Sequence, residues 1–411
     1  MSRNPTAPRT AVRLLATARL ISITGGAAAY TALMFTVYER THSAAWLSAT
    51  LFLTFGVSGF VAPIGGWIGD RFNRKRVMIV SDLLGVACFA AMAFAGDPVW
   101  LLGLAFLSAV VETPFWSASG AAIPNLVGEE QLSWANGLVS LGRNMGIMVG
   151  PAVGGALLAA IGASWVFAIN AVTFAASAVL VALVHGRFSE PRREEHLEHR
   201  GMRAGFVFIA RDRVLRTVVL GWVALVAGMG IVMVADVPLV EHFHAGALGY
   251  GLLITAWGGG SVAGSLAGRR LDERKEPKAL LLGMALIGAS TGAIAVSPWF
   301  APILVMGFVS GFGDAVAMVA DQGIQQRRTP DAVRSRVMSA AEALATVSYA
   351  ASLAAAGAVL GLVGPQGAYA IGGLTAMAGA GVVVPILRSA RGDGREVAEP
   401  QPAVERLVQA G

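Results

Sequence analysis

Long apolar stretches, separated by short polar or glycine-rich segments, dominate the chain. Twelve of them reach about 20 residues, the length at which a helix crosses a bilayer. In the first half these stretches are residues 14–37, 44–69, 77–96, 99–123, 137–161 and 164–185. In the second half they are residues 214–240, 246–267, 279–296, 299–325, 337–362 and 366–387. The pattern predicts an all-α polytopic membrane protein with twelve transmembrane helices.

The polar segments predict how these helices are grouped. The only long hydrophilic segment between the ends divides the stretches into two bundles of six, and the first stretch lacks the cleavage site of a secretory signal, so we expect it to be retained. The predicted parts are an N-terminal tail (1–13), a first bundle (14–186), a central loop (187–213), a second bundle (214–388) and a C-terminal tail (389–411).

The basic residues predict an orientation. With the N-terminus inside, 28 of the 31 lysine and arginine side chains fall on the cytoplasmic side, because cytoplasmic loops collect these residues. Arg40 is the one basic residue in the outer loops, while Arg19 and Arg143 lie within stretches. A missed or invented stretch would put later clusters on opposite sides. We therefore predict a multi-pass inner-membrane (plasma-membrane) protein with the tails and the central loop cytoplasmic.

Composition excludes several other classes. Charged residues make up 14% of the chain against roughly 25% in soluble proteins, which leaves too little polar surface for a soluble protein of 411 residues. A single cysteine, Cys88, excludes a disulfide scaffold. The sequence pI of about 10.0 would suit nucleic-acid binding, but topology accounts for the positive charge, so no nucleic-acid partner is expected. We find no metal site and no phosphate-binding loop of the ATPase type, and we expect no cofactor.

The two halves resemble each other internally. Gly65 and Gly69 follow the second stretch, and Gly264 and Gly268 follow the eighth, 199 residues later, each pair ahead of a basic run. Duplicated six-helix halves are typical of secondary transporters, whose substrate site lies between the repeats.

Residues 65–76 form the first of two motifs that carry a family resemblance. The segment contains Gly65, Gly69, Asp70, Arg71 and Arg74, and it resembles the loop signature of the major facilitator superfamily. The resemblance implies an inner-gate charge network in which Asp70 meets the start of the eleventh helix, around Arg336, where a carboxylate suits the helix dipole. The alternative role is anchoring by positive charge alone.

The second motif lies in the fifth stretch and comprises Gly146, Gly150, Pro151, Gly154 and Gly155. It resembles the motif of proton-coupled exporters in the same superfamily. Proline bends a helix and regularly spaced glycines form a flat packing face, so the segment is expected to bend against a neighbour. The alternative is a packing motif that says nothing about transport direction. Loops 124–137 and 329–339 are similar to the branch that includes macrolide-efflux and enterobactin-export proteins.

Ionisable residues inside predicted helices are candidate functional groups, because charge at the bilayer centre is costly. Glu112 and Asp314 lie near mid-membrane in the fourth and tenth stretches and are near-equivalents in the two halves. We predict proton coupling by Glu112 first and Asp314 second. The alternative for Glu112 is a structural carboxylate bonded to Thr113 or Ser117.

Three further charged residues have weaker assignments. We expect Arg19 to extend towards the cytoplasmic face and Asp236 to lie at the outer interface. Arg143 either extends in the same way or pairs with Glu112 or Asp82. An acidic residue found on the first helix of related exporters is absent after Gly25, where Gly26 stands instead.

The sequence therefore predicts a transporter, not an enzyme, that exports small amphipathic compounds of drug, macrolide or siderophore type in exchange for protons. We expect a monomer in the lipid bilayer. The substrate cavity is predicted to contain Phe35, Phe115, Trp116, Arg143 and Asn144 in addition to the two carboxylates. The alternatives are a facilitator or importer of a sugar, siderophore or lysolipid and, more remotely, a membrane-embedded enzyme or a sensor.

Overall fold

The structure is a computed structural model that describes residues 6–127, 129–186, 188 and 202–392, with backbone alone at some of these positions, Asp70 among them. In the first half the helices are α1 (Thr6–Thr41), α2 (Ala44–Leu51), α3 (Ser58–Arg71), α4 (Arg74–Phe94), α5 (Pro98–Leu126), α6 (Glu129–Ile161) and α7 (Ala163–Leu183). The second half contains α8 (Met202–Arg211), α9 (Arg213–His242), α10 (Gly246–Gly268), α11 (Glu276–Ala295), α12 (Phe300–Arg328) and α13 (Asp331–Gly392).

Twelve crossings follow from these helices. Ten helical stretches are long and apolar enough to span a membrane. One of them, Val333–Leu387, contains the left-handed backbone of Gly364 (φ 70°) and so holds two helices. Helix α10 is the twelfth crossing; it has eight glycines in 23 residues and packs between α6 and α12. The prediction of an all-α, twelve-helix membrane protein is confirmed.

The helix ends follow local sequence signals. Asn73, Asp97 and Asp212 stand just before α4, α5 and α9, and their side-chain oxygens accept hydrogen bonds from the first free backbone N–H groups. Gly162 has φ 80° and lets α7 begin directly after α6. Short polar residues with a suitable side-chain acceptor therefore place several of the turns.

Two details depart from the sequence prediction. The second crossing is divided by a π-helical turn, Phe52–Gly56, between α2 and α3. Within the predicted central loop, the structure forms the short helix α8, which packs on α13. Its β-carbon-free Gly205 lies against the carbonyl of Arg336, where a larger side chain would not fit.

The two ends of the bundle differ in how the halves meet. We call the end with Arg71, Arg74 and Arg327 the basic face, and the other end the opposite face. Towards the opposite face one buried apolar core includes α1 and α2 together with α9, α10 and α13. Towards the basic face the first half has its own core, and the second half has two others. The halves therefore share a core at the opposite face only.

Candidate functional site

A small cavity at mid-height in the first half contains the principal predicted carboxylate. Glu112 lies at the midpoint of α5 and lines this cavity. The cavity measures about 10 Å³, room for about one water molecule. Its lining comes from α1, α4, α5 and α7 and consists of Ser22, Ser81, Asp82, Glu112, Phe115, Trp116 and Phe174. The structure thus brings Glu112, Phe115 and Trp116 together.

Asp82 is the second carboxylate of this cavity, and sequence reasoning had considered it only as a pairing partner. Its side chain on α4 is 1% exposed, and its Oδ2 atom has no hydrogen-bond partner among the described residues. It lies close enough to Glu112 for the two charges to repel. The signal was present, since Asp82 is an ionisable residue within a predicted span, but the sequence did not show that α4 and α5 turn these two residues towards each other.

Arg19 supplies a buried positive charge nearby. It is 7% exposed, donates a hydrogen bond to Ser119 on α5, and its guanidinium lies 5.6 Å from the ring centre of Trp116. The expectation that Arg19 extends to the membrane surface is therefore wrong, because hydroxyl and aromatic partners inside the bundle hold it. Arg143 on α6 is exposed and lies near enough for its charge to act on Arg19.

The remaining predicted cavity residues are distributed over different places. Asp314 is at the midpoint of α12, is partly buried and does not line the cavity of Glu112. Asn144 is exposed on α6, one turn before Met148, which contacts Gly258 of α10 in the other half. Phe35 packs near the opposite face, with its ring centre 5.8 Å from that of Tyr250.

The glycines of the α6 motif pack against two different helices. Gly146, Gly150 and Gly154 lie against α1, where added β-carbons would meet Ile23, Ala27 and Ala28 respectively. Gly155 faces the carbonyl of Ala247 on α10, and the Pro151 carbonyl contacts Gly251 of the same helix. The motif therefore joins α6 to α1 within its own half and to α10 across the boundary between halves.

The first motif contacts its own half. Gly65 packs against Thr113 of α5, next to Glu112, and Gly69 is in ordinary contact with Ala118. The Arg71 guanidinium lies 5.5 Å from the ring centre of Trp67.

Arg74 and Arg336, the other ends of the predicted inner-gate network, are placed as follows. Arg74 donates to the carbonyls of Ala121 and Phe188, at 2.9 Å and 3.4 Å. Arg336 is partly buried on α13 beneath α8. The side chain of Asp70 lies outside the described part, so its pairing with the start of the eleventh helix stays a prediction.

Asp236 has a different position from the expected one. It is 7% exposed, and its Oδ1 accepts a hydrogen bond of 2.5 Å from the Tyr369 hydroxyl. The prediction of an interfacial Asp236 is wrong, because the outer part of α9 is covered by α13 and carries the residue into the shared core.

Comparison with known proteins gives consistent results for family and fold. The family model described as Major Facilitator Superfamily matches residues 15–246 and 218–409. The enterobactin exporter EntS of Shigella boydii serotype 18 is 27% identical over 345 residues, which cover 80% of this chain and 80% of the relative. The protein of the same name from Escherichia coli O1:K1 / APEC is 28% identical over 348 residues, again covering 80% of each chain.

Solved structures share the fold at low sequence identity. A bacterial homologue of the human lysosomal transporter Spinster, inward-facing and unoccupied, has a TM-score of 0.69 at 14% identity and covers 95% of this chain and 97% of its own. The nucleoside transporter NupG has a TM-score of 0.68 at 12% identity, covering 93% and 98%. The human organic anion transporter MFSD10 has a TM-score of 0.62 at 16% identity, covering 93% and 100%. These likenesses concern the fold alone.

Proposed function

The chain belongs to the major facilitator superfamily and is thus a membrane transporter of small molecules rather than an enzyme, and on this premise we propose that it exports amphipathic compounds of siderophore, macrolide or drug type in exchange for protons. The direction of transport is supported by relatives named enterobactin exporters. The protein works as a monomer, with both termini in the cytoplasm, so that the basic face is the cytoplasmic one.

The observation that carries the proton coupling is the pair of carboxylates in one cavity. Two negative charges in a space for about one water molecule repel each other, and one shared proton relieves the repulsion. A proton can therefore bind between Glu112 and Asp82 and leave when a competing partner arrives. Arg19 is held nearby by Ser119 and Trp116 and is such a partner if the α1–α5 contact shifts. Asp314 serves as a second carboxylate in the other half.

The separate cores at the basic face support entry of substrate from that side. Exposed Arg143 and Asn144 lie on α6 where it passes between α1 and α10, and Trp116 is 39% exposed. Substrate that enters here meets aromatic and amide groups beside the carboxylate cavity, a mixture that suits amphipathic molecules. Binding would compete with the proton, and alternating access would then open the opposite face.

The experiment that tests the function is export from cells that express the protein. Enterobactin, erythromycin and ethidium would be followed with and without an uncoupler. We expect expression to increase export of at least one of them and the uncoupler to abolish the increase. Net uptake of the same compounds would instead identify an importer, and export insensitive to the uncoupler would identify a facilitator.

The coupling residues are tested by Glu112→Gln and Asp82→Asn in everted vesicles. Each variant removes one of the two carboxylates that share the proton, so we expect substrate-dependent proton movement to fall to the background of vesicles without the protein. Substrate exchange in the absence of a gradient should persist. The matched control is Glu39→Gln, which changes an exposed carboxylate on α1 and should behave as wild type. Normal proton movement in Glu112→Gln would rule out this mechanism.

A further inference from the structure

An acidic side chain near the opposite face is surrounded by nearly all the tyrosines of the protein. The chain has five tyrosines, and four of them, Tyr30, Tyr250, Tyr349 and Tyr369, lie near enough to Asp236 to interact with its charge. The Tyr369 hydroxyl donates to Asp236, and that of Tyr349 contacts the sulfur of Met233, one turn earlier on α9, at 2.6 Å. We call these five residues the Asp236 cluster.

The Asp236 cluster crosses the boundary between the two halves. Tyr30 comes from α1 in the first half, while the other four members come from α9, α10 and α13 in the second. Phe35, one turn further along α1, packs its ring against Tyr250. Tyr250 and Tyr369 are 1% and 3% exposed, so contact between the halves is what keeps water away from Asp236.

The groups that face Asp236 carry no positive charge. From α1 the facing group is Tyr30, from α10 it is Tyr250, and from α13 they are Tyr349 and Tyr369. No described lysine, arginine or histidine forms an ion pair with it. Burial of a carboxylate without a cation is costly, whereas a neutral carboxyl group is tolerated if it is hydrogen-bonded. The closed arrangement therefore favours a proton on Asp236.

We propose that Asp236 is a second proton-binding site of the transporter, occupied while the opposite face is closed and emptied when the halves separate there. Separation removes Tyr30 and Phe35 from the cluster and lets water reach the carboxyl group. The O–H bond then breaks, the proton passes to water, and the carboxylate is left hydrated. The inference rests on the proposed function only in requiring that the halves separate at this face.

The consequence is a link between proton concentration and opening. A high proton concentration at the opposite face keeps Asp236 neutral and stabilises the closed arrangement. A low concentration favours the open one, because a proton bound by one state alone shifts the equilibrium. For one proton this shift amounts to at most about tenfold per pH unit.

A cysteine reporter tests this link without any transported substrate. In a Cys88→Ser background, Ser48→Cys places a thiol of similar size in the contact between α2 and the Leu353 carbonyl of α13. A membrane-impermeant maleimide added at the opposite face labels it only when the halves part. The intrinsic pH dependence of thiol labelling is corrected with Val296→Cys, at an 80% exposed position after α11.

We expect the corrected labelling rate to rise with pH in the protein that keeps Asp236. It should stay low and change less than about twofold in Asp236→Asn, which retains the neutral form at every pH. The matched control is Glu241→Gln, a carboxylate five residues later on α9 and outside the cluster. Its pH dependence should equal that of the protein with Asp236 intact.

The result that overturns the inference is an unchanged pH dependence in Asp236→Asn. If that variant does not fold, Asp236→Glu decides, since it keeps a titratable group on a longer side chain. A moved midpoint supports the proposal and an identical midpoint rejects it. Because labelling needs no export, failure to find an exported compound would count against the proposed function and leave this result intact.

Discussion

Arg40 shows that a basic residue outside the cytoplasmic clusters has a structural partner. Its guanidinium donates to the carbonyls of Ala95 and Gly96, at 2.9 Å and 2.8 Å, where α4 ends. The last carbonyls of a helix have no intrahelical donor, and a cation suits this end of the helix dipole. Arg40 thus fastens the end of α1 to the end of α4.

We predict that Arg40→Ala lowers the thermal unfolding midpoint in detergent by roughly 1–2 °C, from the loss of two charge-assisted hydrogen bonds at an exposed site. Arg270→Ala, which removes an exposed arginine without a reported partner in the described residues, is the control and should leave the midpoint unchanged. Equal effects of both variants would mean that Arg40 acts through net charge rather than through these carbonyls.

Lys75 and Arg74 bind backbone carbonyls as Arg40 does, and they do so at the basic face. The Lys75 ammonium group donates to the carbonyls of Ala182 and Val184, at 2.7 Å and 2.9 Å, and so closes the end of α7. The basic run of the first motif therefore holds helix ends together in addition to any part in the gate.

Helix α6 is the element that connects the two halves most directly, through glycines on two of its faces. Gly146, Gly150 and Gly154 let α1 approach, and Gly155 lets α10 approach. An added methyl group at Gly155 would meet backbone atoms of Ala247, which cannot move aside as a flexible side chain can.

We expect Gly155→Ala to weaken the α6–α10 contact by about 1–3 kcal/mol, the usual cost of overpacking. The opposite face should then open more often, which the Ser48→Cys labelling rate would report as an increase. Gly137→Ala on the same helix is the control, because nothing lies within 4 Å of its added β-carbon. It should leave labelling unchanged and stabilise α6 by up to about 1 kcal/mol. An unchanged rate in Gly155→Ala would show that α10 gives way at no cost.

The arrangement of buried cores determines which face of the bundle is closed. Residues of α2 and α13 meet at the opposite face, where Gly357 would place a β-carbon 2.8 Å from the Cα atom of Ala45. A covalent link at this contact should hold the protein in the conformation described by the structure.

We predict that Ala45→Cys combined with Gly357→Cys, in a Cys88→Ser background, forms a disulfide on mild oxidation and stops transport. Reduction should restore it, and binding of substrate from the basic face should survive the link. Each single variant treated with the same oxidant is the control. Full transport by the cross-linked protein would show that the halves need not separate at this contact.

The sequence predicts the membrane fold well because long apolar runs and the arginine distribution each report the bilayer directly. It also identifies Glu112, since a charge inside an apolar run is rare. It does not predict that Asp82 shares the cavity of Glu112, or that Tyr369 reaches Asp236 from more than a hundred residues away. Those facts depend on how helices rotate and pack, and apolar runs hydrophobic on all sides carry little information about rotation. Arg19 was misjudged for the same reason.

The π-helical turn of Phe52–Gly56 has a consequence for the tolerance of the chain to deletions. It lies between α2, which packs on α13 of the other half, and α3, which packs on α5 of its own half. Loss of one residue here would rotate α2 by about 100° relative to α3. The crossing would keep its length and hydrophobicity, but Ser48 would no longer face Leu353. A frame-preserving deletion invisible to any hydropathy profile would thereby disconnect the two halves.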